Sequence, residues 1–433
     1  MWAMSMLFSS YQIRKAYQLF IGKQAASMAL SFGSAVLIAR QIGPSAYGAY
    51  FISITLIEYL LQACQFGMVP LLYREKSEKF RESYNTFFVF TVTVAFVLAA
   101  LVFAGIFFYP FSDPESFTAV KWVIFSLPLF VANSAFKLAL EKELRSKDIV
   151  SSEILAHVAF LLVGSVLAFL QKGLWAPVLG WWAQNLVFFL LLLRSRPSLP
   201  NFHSSWNLVR PMLKSGTPIV GVSLISGLEG LSMSALTSSK LGLSSTGEIG
   251  LVKKIIARAS FLQAPNVRIS NIVCGNHVSD SERLKNFTEK NLFSNTLAFG
   301  CVFLALAWTP NIVFEKLLGS NWGGSSLLLP WLCFATFTTS SLYVFQAGLI
   351  ALEEHRPRLF LATGSLLVLV VSALGLMPRF GMRGWAMAES LASFVWLGLP
   401  VFFGLKVGRI RYRSSFILWA LFGALILVRA AFP

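Results

Sequence analysis

Residues 250–269 read GLVKKIIARASFLQAPNVRI, an otherwise apolar stretch carrying Lys253, Lys254, Arg258 and Arg268. A charge at the centre of a lipid bilayer costs about 2.5–3.5 kcal/mol on an insertion scale, so such residues normally face a wet cavity or a partner. Two carboxylates, Glu58 and Glu229, interrupt apolar segments in the same way. With Arg258, they lie about eight to twelve residues inside their predicted helices, on the order of 12–18 Å at 1.5 Å per residue. That is too deep for a side chain to snorkel easily to the interface. Lys23, Lys121, Lys137 and Arg268 lie near predicted helix ends, where snorkelling accounts for them. A buried ion pair of Arg258 with Glu58 or Glu229 is one use of these charges. It leaves Lys253 and Lys254 as excess positive charge on one helix, which favours a hydrated cavity suited to an anion.

The elements that must position these groups are membrane helices. The chain is 56% hydrophobic and only 13% charged, with a mean hydropathy of +0.68, far from the roughly 25% charge of soluble domains. The pattern predicts an all-α polytopic membrane protein. Apolar runs fall at about 12–39, 47–72, 84–109, 117–140, 149–170, 174–193, 211–237, 247–273, 289–309, 327–352, 358–377 and 384–404. That makes twelve transmembrane helices, or thirteen if the shorter run at 414–428 also spans. No cleavage site follows the basic N-terminal segment, so the first helix is expected to be retained. Cys64, Cys274, Cys301 and Cys333 have no CxxC spacing and read as small buried hydrophobes.

Alternate predicted loops hold 22 of the 36 Lys and Arg residues, from Arg14 and Lys15 to Arg411 and Arg413. The opposite loops hold Arg40, Lys172, Lys240, Lys316, Arg379 and Arg383. Positive residues stay inside, which predicts a cytoplasmic N-terminus. Much of the net charge of +17 is therefore a topology signal, and nucleic acid is not an expected partner.

The turn IGPSAYG (Ile42 to Gly48) and the turn LGLSSTG (Leu241 to Gly247) share [IL]-G-x-S-x-x-G, displaced by 199 residues. A weaker echo pairs Trp175-Ala176 with Trp385-Ala386. Similar offsets predict a parallel six-plus-six repeat, with bundles at 1–200 and 201–405 and a basic segment plus extra apolar helix at 406–433. Helical spacing then aligns polar stripes on corresponding helices: Lys23, Ser27, Ser31 and Ser34; Thr55, Glu58, Gln62 and Gln65; Ser226, Glu229 and Ser232; Lys254, Arg258 and, if Pro265 kinks the helix only mildly, Arg268. Small polar residues also let helices pack closely, an alternative use of the serines.

The segment VLIARQIGPSAYGAYFISITLIEYLLQACQFGM (Val36 to Met68) resembles the N-terminal signature of polysaccharide-type flippases in the multidrug, oligosaccharidyl-lipid and polysaccharide exporter superfamily. LMPRFGMRGWAMAES, the chain length and the repeat are similar to that family as well. The resemblance implies a multidrug-extruder-like fold, with two six-helix bundles around a cleft lined by helices one, two, seven and eight. It also implies a polyprenyl-diphosphate-linked oligosaccharide, moved from the cytoplasmic to the outer leaflet of a bacterial inner membrane and passed to a polysaccharide polymerase. Lys254, Arg258, Lys253 and Lys23 would hold the diphosphate, and Glu58 and Glu229 would bind a coupling proton or sodium ion or orient the basic residues. Peptidoglycan-precursor flippases have fourteen helices, and twelve or thirteen here point away from that substrate.

No G-x-x-x-x-G-K-[ST] occurs, so ATP hydrolysis is not expected, and neither is a cofactor or metal. A multidrug cation antiporter of the same fold would want an acidic cleft, and this one reads basic. A polymerase or ligase acting on lipid-linked sugars would want a long outer loop with catalytic residues, but PNIVFEKLLGSNWGGSS holds one acid, Glu315. His157, His203, His277 and His355 read as isolated, neither ligands nor bases.

Overall fold

The computed structural model describes residues 11–75, 77–106, 108, 113–143, 145–195, 206–260, 263–276, 280–309, 312–408 and 411–431. All of its regular structure among these residues is helical: α1 (Tyr11–Gln65), α2 (Val69–Arg74), α3 (Ser77–Ile106), α4 (Pro114–Ile124), α5 (Leu127–Lys142), α6 (Ser146–Phe169), α7 (Trp175–Arg194), α8 (Trp206–Ala259), α9 (Gln263–Asn276), α10 (Ser281–Ala307), α11 (Leu329–Ser341), α12 (Tyr343–Ala351), α13 (His355–Phe380), α14 (Met382–Ser393), α15 (Gly398–Val407) and α16 (Arg413–Ala431). Nine helices among the described residues are long and apolar enough to cross a membrane, or ten if the pair α4 and α5, bent by 46°, forms one broken span. The helices follow the order of the apolar runs, and the chain is a multi-pass membrane protein.

Two compact units result. The first comprises Met1–Ile42, Met68–Phe111 and Phe117–Lys214; the second comprises Gly43–Gly67, Ser112–Ser116 and Ser215–Pro433. In the first unit, Asn133 and Asn185 join α5 to α7, the Asn133 amide donating to the Asn185 carbonyl at 3.0 Å. Where α4 breaks from α5, the Trp181 indole donates to Ser126 Oγ at 2.9 Å, and Ser126 donates to the Val123 carbonyl at 2.7 Å. These bonds give the Val123 carbonyl at the bend a side-chain partner, as an apolar surround requires.

In the second unit, α16 packs on α10 and α11. A Cβ on Gly300 would collide with the Phe422 ring, and Gly423 lies against Phe334. The last apolar run therefore has a docking groove shaped by glycine, which lets helices approach closely. Loop residues after α10 form a π-helical turn, Ile312–Leu318, and a 3₁₀ segment, Ser320–Leu327. That segment buries Trp322 completely.

Two expectations need correction. Helix eight is not continuous: α8 stops at Ala259 and α9 begins at Gln263, with Pro265 placed in the first turn of α9, where its missing N–H is harmless. The Arg268 side chain lies outside the described residues. Cys64, Cys274 and Cys333 are buried, but Cys301 is exposed, a position a weakly polar thiol tolerates.

Candidate functional site

Two glycines shape the second unit. Gly43 (φ 78°, ψ 172°) and Gly242 (φ 85°, ψ 174°) interrupt α1 and α8 with nearly the same backbone conformation, one that only glycine adopts readily. After each break the chain turns into a new helical segment. Thr246 donates to the Gly242 carbonyl at 3.1 Å and pairs with Thr237 at 2.9 Å, bracketing the second turn. The turns also meet. A Cβ on Gly48 would strike the Leu243 carbonyl, and one on Gly247 would strike the Pro44 carbonyl. Positions 44 and 243, like 48 and 247, carry the same 199-residue displacement, so the contact is reciprocal.

Below this crossing, the second segment of α1 lies along α8. Thr55 approaches Gly230, Tyr59 approaches Gly227, and the Phe66 carbonyl approaches Gly216. Small residues on α8 permit that closeness, and the seam fixes which way the rest of the α1 segment faces. Glu58 is exposed and faces Lys254 and Arg258. No ion pair within 4.0 Å joins any of these three groups, among the described residues. Lys254 Nζ instead stands 5.5 Å from the Tyr50 ring centroid, a cation–π contact that leaves the ammonium's charge unneutralised. Tyr47, fully buried beside Trp322 at 5.8 Å between ring centroids, completes the aromatic wall near Arg258. Two cations thus meet one acid on an accessible face of membrane helices, an arrangement that attracts an anion.

Lys253 and Glu229 belong to a second cluster. Lys253 Nζ binds both oxygens of Glu389 at 2.9 and 3.0 Å, and the Trp385 indole donates to Glu389 Oε2 at 3.2 Å. Glu229 faces Lys253, Glu389 and Ser365, and its buried Oε1 has no hydrogen-bond partner among the described residues. Adjacent residues on α8 point about 100° apart, so Lys253 and Lys254 serve different walls. The Lys23 side chain lies outside the described residues. Sequence reasoning missed Tyr47 and Tyr50, although Tyr47 stands eleven residues before Glu58 and shares its helix face. It also missed Glu389, an acid in an apolar run whose partner is 136 residues away. The described residues contain no group of three or more His, Cys, Asp or Glu able to hold a metal.

Residues 37–327 match the family model described as Polysaccharide biosynthesis protein. The chain belongs to that family. No curated protein matches its sequence. Among solved structures it is similar to "Lipid II flippase MurJ, inward closed conformation", with a TM-score of 0.74 and 15% identity, covering 96% of this chain and 98% of that one. It is also similar to an inward-facing multidrug resistance MATE family transporter of the MOP superfamily, at TM-score 0.71 and 14% identity, covering 89% of this chain and 96% of that one. A third likeness is to the MATE multidrug transporter DinF-BH, at TM-score 0.66 and 16% identity, covering 90% of this chain and 96% of that one. This polysaccharide biosynthesis protein therefore has a transporter's fold, the one shared by MurJ and the MATE proteins.

Proposed function

We propose that this polysaccharide biosynthesis protein flips a polyprenyl-diphosphate-linked oligosaccharide from the cytoplasmic to the outer leaflet of a bacterial inner membrane, by alternating access and with its N-terminus in the cytoplasm. One observation carries the reading: among the described residues, Lys254 and Arg258 face the acid Glu58 without pairing to it, on an accessible face of membrane helices. A diphosphate supplies the missing negative charge, and charge-assisted contacts of this kind are the strong ones. Lys23 is assigned to the same set. The prenyl chain remains in lipid while the sugars cross through water, and a polymerase on the outer face takes the product.

Lys253 is held by Glu389 and is better read as part of the coupling machinery. Glu229, beside that pair and with an oxygen that has no partner among the described residues, is the leading carrier of a coupling proton or sodium ion. Glu58 is the second. A multidrug cation antiporter would need the opposite sign at Lys254 and Arg258.

Inner-membrane vesicles from cells with and without the protein test the reading, by measuring how much lipid-linked oligosaccharide is exposed on each leaflet. Deletion should trap it on the cytoplasmic leaflet, and the parent protein should release it. Unchanged sidedness after deletion would overturn the proposal.

A further inference from the structure

The second unit holds a cation that the diphosphate site does not use. Arg356 and Arg358 both stand near the start of α13, where positive residues serve topology. Their side chains differ. Arg356 is exposed, as a residue reaching for water would be. Arg358 is half-buried, and its Nε is enclosed without a hydrogen-bond partner among the described residues.

Direction explains the difference. On α13, Phe360, Leu367 and Leu374 are exposed and share one apolar stripe. At 100° per residue, Arg358 falls roughly 160–180° from each of them and within about 40° of Ala362, Ser365 and Leu369, which are buried. The guanidinium therefore turns into the unit. The group that faces it there is the Tyr343 hydroxyl on α12, and the Asn271 side chain on α9 reaches the same hydroxyl. Asn271 is exposed, so the cluster opens beside α9.

No acid answers this charge. Among the described residues Arg358 makes no ion pair within 4.0 Å, and Glu354, four residues before it, pairs with Lys406 instead. A cation withdrawn from water needs a negative partner. The place is separate from the first site, since Arg258 lies near Tyr47, Glu58 and Tyr50, and Arg358 near Tyr343. It is separate from the Glu229 cluster as well: Ser365, which faces Glu229, is two turns further along α13, about 10 Å at 1.5 Å per residue. Arg358 is the fourth of 26 residues in α13, so it sits at the level of lipid head groups, where phosphate is the prevailing anion and basic pockets between helices bind it.

We propose that Arg358 and the Tyr343 hydroxyl, oriented by Asn271, form a second phosphate site, which takes the phosphate head of a membrane lipid at the start of α13. The planar guanidinium matches two phosphate oxygens, and the phenol donates to a third. Two kinds of lipid carry that chemistry, a prenyl diphosphate and an anionic phospholipid. The site stands apart from the flippase reading, because it needs only a phosphate at the membrane surface.

The experiment uses the full-length protein in uncharged detergent, with Arg258→Ala added to silence the first site, and titrates it with farnesyl diphosphate and with short-chain phosphatidylglycerol. At least one probe should bind, and Arg358→Gln should weaken it by about tenfold or more, the worth of a hydrogen bond to a charged group. Arg358→Lys should keep part of the affinity, and Tyr343→Phe should lose less than Arg358→Gln. Whichever probe loses affinity names the lipid. Without ligand, Arg358→Gln should melt no lower than its parent, because no partner is left stranded, and this shows that the variant folds. The assignment is overturned if neither probe binds, or if both bind Arg358→Gln as tightly as its parent. A drop in the ligand-free melting point would make Arg358 a structural residue and overturn it too.

Discussion

Lys253 and Glu389 form a two-point contact, 2.9 and 3.0 Å to the two carboxylate oxygens, with side-chain exposures of 32% and 21%. Removing one member of such a partly buried pair strands the other in a membrane interior. Lys253→Met should therefore lower the stability of the purified protein, by an amount below the roughly 3–5 kcal/mol seen for fully buried pairs. The double variant Lys253→Met with Glu389→Gln should recover most of the loss. Equal melting points for the parent and Lys253→Met would show that the contact carries no stability.

The glycine turns predict two separable defects. Gly48→Ala and Gly247→Ala place a methyl group on a facing backbone carbonyl and should cost about 1–3 kcal/mol through overpacking. At Gly43 there is open space around the would-be Cβ, so Gly43→Ala acts through φ strain, about 1–3 kcal/mol, and Gly43→Val carries at least that strain and lowers folding yield. Gly105→Ala, with open space and an ordinary helical backbone, should stay within about 0.5 kcal/mol of the parent. Thermal melting in detergent measures all of these variants, and a Gly105→Ala effect as large as that at Gly48 would remove the geometric explanation.

Local signals carried much of the fold. The turns at Gly43 and Gly242 were readable because glycine and proline punctuate apolar runs, and Glu58, Lys254 and Arg258 were readable because a charge in such a run is costly wherever it occurs. Partner choice was not readable. Helical periodicity places Lys253 near Lys254 and cannot say that α14 brings Glu389 to one of them alone. The end of α8 at Ala259 was also hidden, since Pro265 is compatible with a mild kink or with the first turn of a new helix. His157 looked isolated because its partner Gln184 lies 27 residues away on another helix.

Glu58 predicts a transport defect without a folding defect. It is exposed and makes no ion pair among the described residues, so Glu58→Gln should leave membrane abundance near that of the parent while lowering the rate of flipping. If Glu58 takes part in ion coupling, the loss should change with pH. Parent-like transport at every pH would remove Glu58 from the coupling assignment.

Arg258 allows the two uses of its charge to be told apart. A structural partner of Glu58 would make contact within 4.0 Å, and removing it would cost about 3–5 kcal/mol, recovered when the opposing acid is neutralised. The structure shows no such contact, so Arg258→Ala should keep normal membrane abundance and abolish flipping. Arg258→Lys should retain part of the activity, because an ammonium supplies charge without the two-pronged fork that matches a phosphate. Adding Glu58→Gln to Arg258→Ala should restore nothing, since the substrate's own charge is what Arg258 answers. Abundance and leaflet sidedness, measured together for the three variants, decide the matter: restored flipping in the double variant would return Arg258 to a structural role.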